Sequence, residues 1–353
     1  MGSIPTRGTF NVLPMIKTFP YLEITGTHTE LGLAIGEMFR GKIQEVINDR
    51  KHYIRSYSDK INNLHPYIKE TKKVFPQYLE ELTSMAEGAN VPFIDLFFHN
   101  TPEVYDRTSV WDREHAQTED HCTICVSFGK SGALIGHNED WAIESLDELY
   151  VLKATIDSVT YIGLNYATFL IGCSATLTSH GLIQCINELH QDSHMGIGKY
   201  FIARSVLDAK NLEEAETLIR NSKRASGYNH VLVQKNTIYN IETSGEDIDV
   251  EKRIGTPYAH TNHFCSTRMQ QYEQDEATHH KNSYERLTRA NELVRNDMTI
   301  EDMQLLLSDT KNRLYPICRD DATIGSVIIE PAEQKMYICY GPPNRGTFIP
   351  YTL

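Results

Sequence analysis

Residues 121–141 read HCTICVSFGKSGALIGHNEDW. Two short β-forming runs, Cys122 to Phe128 and Ala133 to His137, flank a turn of Gly129, Lys130, Ser131 and Gly132. A hairpin brings its two ends together. The Cys122 thiol is therefore expected beside the carboxylate of Asp140, in the acidic close Asn138-Glu139-Asp140-Trp141. A thiol attacks only as thiolate, so it needs a base or a lowered pKa.

The chain changes character at this hairpin. Upstream it is largely helical. Tyr21 to Ile24 alternate like a strand, and apolar residues from His28 to Tyr57 recur at helical spacing. A second helical pattern runs from Ile68 to Met85 and ends at Gly88-Ala89-Asn90. Pro92 opens a short apolar helix, Phe93 to Phe98. Residues 100–121 are polar and weakly periodic and read as a loop. Downstream, β-like runs follow at 148–156, 160–170, 174–179 and 182–187. Helical patterns then occupy 199–209 and 212–222, with Asn211 as N-cap. Strands return at 230–235 and 237–243, helices near 283–296 and 300–308. A final strand pair spans Ile324–Ile329 and Lys335–Tyr340. No repeat of 20–50 residues is present.

Composition sets bounds. The 353 residues carry a net charge of −13, which disfavours a nucleic-acid backbone as partner. The seven cysteines are odd in number and most sit in apolar runs, which suits reduced, buried thiols rather than a disulfide framework. No run of 18 apolar residues and no apolar signal core are present, so no membrane association and a cytoplasmic location are expected. Gly2 and Thr6 match a loose myristoylation pattern.

One economical way to activate a thiol is to place it on an N-terminal residue, whose α-amine has a reference pKa of about 7.7–8.0. Cys122 gains that amine only if the bond before it is cut. The stretch from Cys122 to Trp141 resembles the start of the catalytic subunit in the penicillin acyltransferase-like (peptidase C45) family. These are N-terminal-nucleophile hydrolases related to bile-salt hydrolases and penicillin V acylases. The shared pattern is Cys122-Thr123, Gly132, Asn138 and Asp140. Downstream, Gly181-Leu182 with Cys185-Ile186-Asn187, then His260-Thr261-Asn262-His263, then Ser283-x-x-Arg286, resemble the family's later elements in order. The Gly26–Gly36 stretch resembles its N-terminal helix start, and Thr323 to Gly341 its tail.

The resemblance implies an α+β, four-layer αββα fold. Residues 1–121 would form a mostly helical α-chain that stays docked after self-cleavage, and 122–353 a catalytic β-chain packed with it as one domain. It implies Cys122 as nucleophile, first for cleavage of the His121–Cys122 bond and then for substrate, with its freed amine as base. Asp140 would hold amine and thiol. Asn262 would donate to the oxyanion, Asn187 would orient the amine or complete that hole, and Arg286 would pair with Asp140. The reaction is acyl transfer from a small N-acyl amine, N-acyl amino acid or β-lactam-like amide, through a thioester, to water or an amine. No cofactor or metal is required, although coenzyme A thioesters could serve as acyl donors. Substrate and the chain's own N-terminal fragment are the expected partners, and a homo-oligomer is left open. In the penicillin-forming enzyme a Gly precedes the Cys; here it is His121.

Plainer readings stand beside these. Cys125 reads as a strand thiol and Glu139 as a solvated turn residue. Arg289 reads as a surface salt bridge, and Ser283 as a helix N-cap. His260, His263 and Ser283 are secondary candidates for touching substrate. Cys122-x-x-Cys125 with His260-x-x-His263 could instead hold zinc, though a CxxC on a strand lacks the usual knuckle Gly. A redox CxxC would sit at a helix start. The competing function is an unprocessed, catalytically silent homologue that binds or scaffolds.

Overall fold

The structure is a computed structural model that describes residues 16–54, 56–104, 122–274 and 277–353, with Tyr53 and residues 277–280 described by backbone only. His121, the bond expected to be cut, and the end of the polar loop lie outside the described residues, as do Gly2 and Thr6.

The elements run in order as follows. Strand β1 (Tyr21–Gly26) leads into helices α1 (His28–Met38), α2 (Arg40–Tyr53), α3 (Tyr57–Asn62), α4 (His65–Val74), α5 (Pro76–Ala89) and α6 (Phe93–His99). Then come strands β2 (Thr123–Gly129), β3 (Gly132–Asp140), β4 (Leu149–Ile156), β5 (Val159–Tyr166), β6 (Thr176–Thr178) and β7 (Leu182–Glu188). Helices α7 (Lys199–Val206) and α8 (Leu212–Asn221) precede β8 (Tyr228–Gln234), β9 (Thr237–Thr243), β10 (Ile248–Ile254) and β11 (Tyr258–His260). Helices α9 (Ala277–Leu293) and α10 (Ile300–Leu307), then β12 (Thr323–Glu330), β13 (Lys335–Tyr340) and β14 (Phe348–Thr352), complete the chain.

Two sheets result. One is eight-stranded, ordered β1-β4-β5-β6-β7-β8-β9-β10; the other is six-stranded, ordered β11-β2-β3-β12-β13-β14. The period of two along each strand sends alternate side chains to opposite layers. In β4, Leu149 and Val151 join Ile124, Val126, Val327 and Ile329 in a core between the sheets. The intervening Tyr150 and Leu152 join Leu31, Ile35, Leu82 and Phe201 in a core beneath the helices on the other side. On the second sheet, Cys125, Leu134 and Ile328 pack instead against Ala290, Met303 and Leu307 of α9 and α10. Helix, sheet, sheet and helix layers thus stack as the expected αββα sandwich.

Several boundaries differ from the sequence pattern for local reasons. The pattern over 68–85 divides at Phe75, because Pro76 lacks an N–H and restricts the residue before it. The long first pattern divides at Phe39, which leaves helical geometry and packs its ring 4.6 Å from Tyr150. Helix α9 begins at Ala277, so Ser283 lies in its second turn and is not an N-cap. Strands β10 and β14 are not legible as alternation: β10 is rich in charge, and β14 is an edge strand carrying Pro350. Helices α1 and α5 touch backbone to backbone; a Cβ on Gly32 would meet the Glu81 carbonyl oxygen at 2.0 Å.

The N-terminal segment is tied to the rest at several points. Strand β1 pairs parallel with β4. Arg204 of α7, fully buried, donates through Nε to the buried Glu81 carboxylate at 3.1 and 3.2 Å. Tyr78 donates to Asp208 at 2.6 Å. Among the described residues no helix is long and apolar enough to cross a membrane.

Candidate active site

The hairpin of β2 and β3 turns tightly. Gly129 pairs with Gly132, which takes a φ of +109° that a side chain would resist. Register then runs back from the turn: Thr123 faces Asn138. Cys122, one residue before the strand, comes opposite Glu139 rather than Asp140. The Cys122 sulfur lies 3.7 Å from Glu139 Oε1, and Cys122 is only 7% exposed.

This corrects the expected pairing. Glu139 is not a solvated turn residue but a buried carboxylate held by donors on both oxygens. Tyr166 donates to Oε1 at 2.9 Å, His137 Nε2 lies 2.9 Å from Oε2, and the Ser174 hydroxyl also donates to Oε2. Burial acts to raise its pKa, but the hydrogen bonds from His137, Ser174 and Tyr166 outweigh this and hold it below the usual carboxylate range. Asp140 projects with Asn138 toward the opposite face, where Asn138 donates to the Leu307 and Ile317 carbonyls. The Asp140 carboxylate is fully buried opposite Thr323 of β12, whose hydroxyl favours its charged form. Burial pushes it up to about 6, against the pull of Arg319 and Arg286. Arg286 and Asp140 therefore interact through space without the hydrogen-bonded pair that was expected.

The remaining expected residues gather around the Cys122 backbone. Arg286, fully buried on α9, donates from Nη1 to the Cys122 carbonyl at 3.0 Å and to Thr123 Oγ1 at 2.9 Å. Its Nη2 donates to Asn262 Oδ1 at 3.0 Å and its Nε to Asn282 at 2.7 Å. Asn187, at the end of β7 in the other sheet, donates to the same Cys122 carbonyl at 3.1 Å. The two sheets are thereby stitched together at the residue bearing the thiol. Asn262 follows β11. Its Oδ1 faces Arg286, and its Nδ2 makes a long 3.3 Å bond to the Glu188 carbonyl.

Ser283 is buried and holds the 261–263 turn. Its hydroxyl accepts from the Asn262 N–H at 2.7 Å, lies 2.7 Å from His263 Nδ1, and donates to Thr261 at 2.9 Å. His260 Nδ1 lies 2.6 Å from the Thr261 carbonyl and 3.2 Å from Asn187 Oδ1, while Nε2 lies 3.1 Å from Glu242. Burial disfavours its charged form, but Cys265 and Glu242 beside it push it up to about 10. His260, His263 and Ser283 thus support the loop of Asn262 and are not on the pocket wall. The CxxC and HxxH residues do not assemble as one zinc group. Cys125 points to the helix layer, where burial pushes its thiol up to about 12. Arg289 pairs with Asp309 and Glu292 at 2.7 Å each, as read from its place on the helix.

Beside the sulfur opens a cleft lined by Cys122, Glu139, Trp141, Tyr166, Phe169, Cys173, Ile186, Glu188, Tyr200 and Tyr228. Its walls are five aromatic rings and its ionisable edges two carboxylates. Glu188 is paired with Lys199, whose ammonium sits 4.7 Å from the Tyr228 ring centre. None of these wall residues except Cys122 was singled out from sequence. Glu139 was recoverable, since the Gly129–Gly132 turn alone places it opposite Cys122. The aromatic wall was not, because it is drawn from separate strands and from α7.

Residues 127–345 match the acyl-coenzyme A:6-aminopenicillanic acid acyl-transferase family. A β-alanyl-dopamine/carcinine hydrolase of Drosophila melanogaster is 27% identical over 231 residues, 60% of this chain and 59% of the relative, so the match spans less than two thirds of that protein. A mutant of the conjugated bile acid hydrolase of Clostridium perfringens is similar at a TM-score of 0.41 and 9% identity, over 66% of this chain and 97% of that one. A second variant of that hydrolase gives a TM-score of 0.31 and 10% identity, over 66% of this chain and 89% of that one.

Proposed function

Because the chain belongs to the acyl-coenzyme A:6-aminopenicillanic acid acyl-transferase family, we propose that it is a self-processing N-terminal-cysteine amide hydrolase or acyltransferase working through Cys122. The matched stretch begins after Cys122, so the role of that residue rests on its geometry. The carrying observation is the Cys122 thiol at the wall of an aromatic cleft, with its own carbonyl clamped by Arg286 and Asn187 from two different layers. That clamp fixes where the sulfur points before substrate arrives, which is the preorganisation nucleophilic catalysis uses.

In this reading the thiol first attacks the carbonyl of residue 121. The C–N bond to Cys122 breaks as its nitrogen takes the thiol proton, which frees the Cys122 amine. Water then hydrolyses the resulting thioester, releasing the small fragment as a carboxylate and regenerating the thiol. That amine then takes the thiol proton as sulfur attacks the substrate amide carbon. Asn262 Nδ2, on a long 3.3 Å bond while Arg286 holds its Oδ1, donates to the oxyanion, where one such donor contributes about 3 kcal/mol. The protonated amine passes its proton to the departing substrate nitrogen. Water, or an acceptor amine, then takes the acyl group from the sulfur. Asp140, buried on the far face of the hairpin, acts on the amine rather than the thiol. Residues 1–121 remain docked through β1 and the Glu81–Arg204 contact.

The substrate is a small amide with an amine-bearing or aromatic part. The five aromatic walls and the carboxylates of Glu139 and Glu188 favour such a group. β-Alanyl amides, the substrates in the name of the Drosophila relative, are the first to try.

Denaturing mass spectrometry of the purified protein tests the processing step. The expected result is a small fragment ending at His121 and a large one beginning at Cys122, both absent in Cys122→Ala. A single intact chain whose Cys122 gains no acyl mass from an amide panel would favour the silent, binding homologue instead.

A further inference from the structure

We propose that Glu242, His260 and Cys265 form a binding site for a soft divalent cation of the Zn²⁺ class, separate from the nucleophile. One ligand atom from each lies within 4.8 Å of the others. Carboxylate, imidazole and thiolate together are a common donor set for Zn²⁺. Glu242 and His260 are buried, whereas Cys265 is the exposed one of the seven cysteines, so an ion reaches the group from solvent.

The hydrogen bonds around the group are arranged as second-shell partners of a metal usually are. His260 Nδ1 lies 2.6 Å from the Thr261 carbonyl, which only accepts, so Nδ1 carries the proton and Nε2 faces Glu242. Glu242 is itself fixed by the backbone N–H groups of Cys265 at 2.7 Å and Ser266 at 3.1 Å. A fourth donor is near. His263 Nε2 lies 3.8 Å from the Cys265 sulfur. The Ser283 hydroxyl donates to Thr261 and accepts the Asn262 N–H, so toward His263 Nδ1 it accepts again.

A second group of ligand-type residues exists at Cys122, His137 and Glu139. It lacks these features: all three residues are buried, and His137 Nδ1 has no anchoring partner. Metal binding at this donor set uses the thiolate of Cys265 and the unprotonated Nε2 of His260. It would tie residues 260–265 together, and with them Asn262. The proposal does not depend on the acyl chemistry above.

The test uses the full-length Cys122→Ala protein, so the nucleophile cannot compete, after chelator dialysis. Calorimetric titration with Zn²⁺ is expected to show one ion per chain. Cys265→Ser in the same background should weaken binding by about tenfold or more. Cys265 is exposed, so this variant should fold, and unchanged thermal unfolding without metal checks that. Co²⁺ in place of Zn²⁺ should show a sulfur-to-metal charge-transfer band that Cys265→Ser removes. No binding in Cys122→Ala, or equal binding with and without Cys265, overturns the proposal. Binding seen only while Cys122 is present would assign the ion to the nucleophile group and overturn it equally.

Discussion

The Cys122 sulfur lies 3.7 Å from Glu139 Oε1, while Asp140, the next residue, is turned to the other face of the sheet. Both carboxylates are buried, and it is Glu139 rather than Asp140 that stands beside the thiol. A fixed anion at that distance opposes formation of a thiolate, by an interaction of up to about 4 kcal/mol near a protein surface. Glu139→Gln keeps the shape and removes the charge. Alkylation of Cys122 by iodoacetamide at pH 7, followed by peptide mass spectrometry, should then speed up by about tenfold or more. An unchanged rate would show that Tyr166, His137 and Ser174 already neutralise Glu139.

Asp140 carries a different signature. Its folded-state pKa of about 6 lies above the ordinary carboxyl value of about 3.9. Below about pH 4 both folded and unfolded states hold the proton and the carboxyl is neutral in each. Between about pH 4 and 6 the unfolded chain ionises first, so stability falls as pH rises, and above about 6 the loss is complete. Two pH units correspond to about 3 kcal/mol at most. Urea unfolding in an uncleaved Cys122→Ala background should show that fall, and Asp140→Asn should lack it. Parallel pH profiles for the two proteins would place the titration elsewhere.

How much of this was legible beforehand depended on how local the signal was. Periodicity alone gave a helical front before Cys122 and mixed strands and helices after it; the helix–sheet–sheet–helix order was implied by the family resemblance. Arg286, Asn187 and Asn262 were singled out by resemblance; the first two meet at the Cys122 carbonyl, and Asn262 is bonded to Arg286. Glu139 was misjudged because adjacency in sequence was weighed above register. A single residue decides the face of a strand. Tyr166, Tyr200 and Tyr228 were invisible as a group, since nothing in their spacing says that β5, α7 and β8 open onto one cleft. The break at Phe75 needed only closer attention to Pro76.

The Arg204–Glu81 contact makes a prediction about the N-terminal segment. Both side chains are fully buried and come from opposite sides of the proposed cleavage point. Removing Arg204 leaves the buried Glu81 with His28 at 2.8 Å, a loss of up to about 3–5 kcal/mol. Arg204→Ala should lower stability by that amount in the uncleaved background, and in the processed protein it should let the small fragment dissociate on size-exclusion chromatography. Replacing Glu81 and Arg204 together with apolar residues of similar volume should recover much of the loss. A single variant as stable as the parent would mean that solvent reaches the pair.

Selectivity should turn on Glu188. Its carboxylate lines the cleft and is paired with Lys199, whose ammonium stands over the Tyr228 ring. An ammonium group on a bound substrate is expected to compete with Lys199 for the Glu188 carboxylate. A β-alanyl amide and its propionyl counterpart differ in just that charge. The β-alanyl compound should show the higher kcat/KM by about tenfold, equivalent to about 1.4 kcal/mol at the transition state. Glu188→Gln leaves Lys199 unpaired and makes that wall positive, so the ratio should fall toward one or reverse, with a succinyl amide gaining. The neutral propionyl amide serves as internal control, because its rate should change little if the cleft keeps its shape. A preference for the β-alanyl compound that survives Glu188→Gln would move charge recognition to Glu139, the other carboxylate on the same wall.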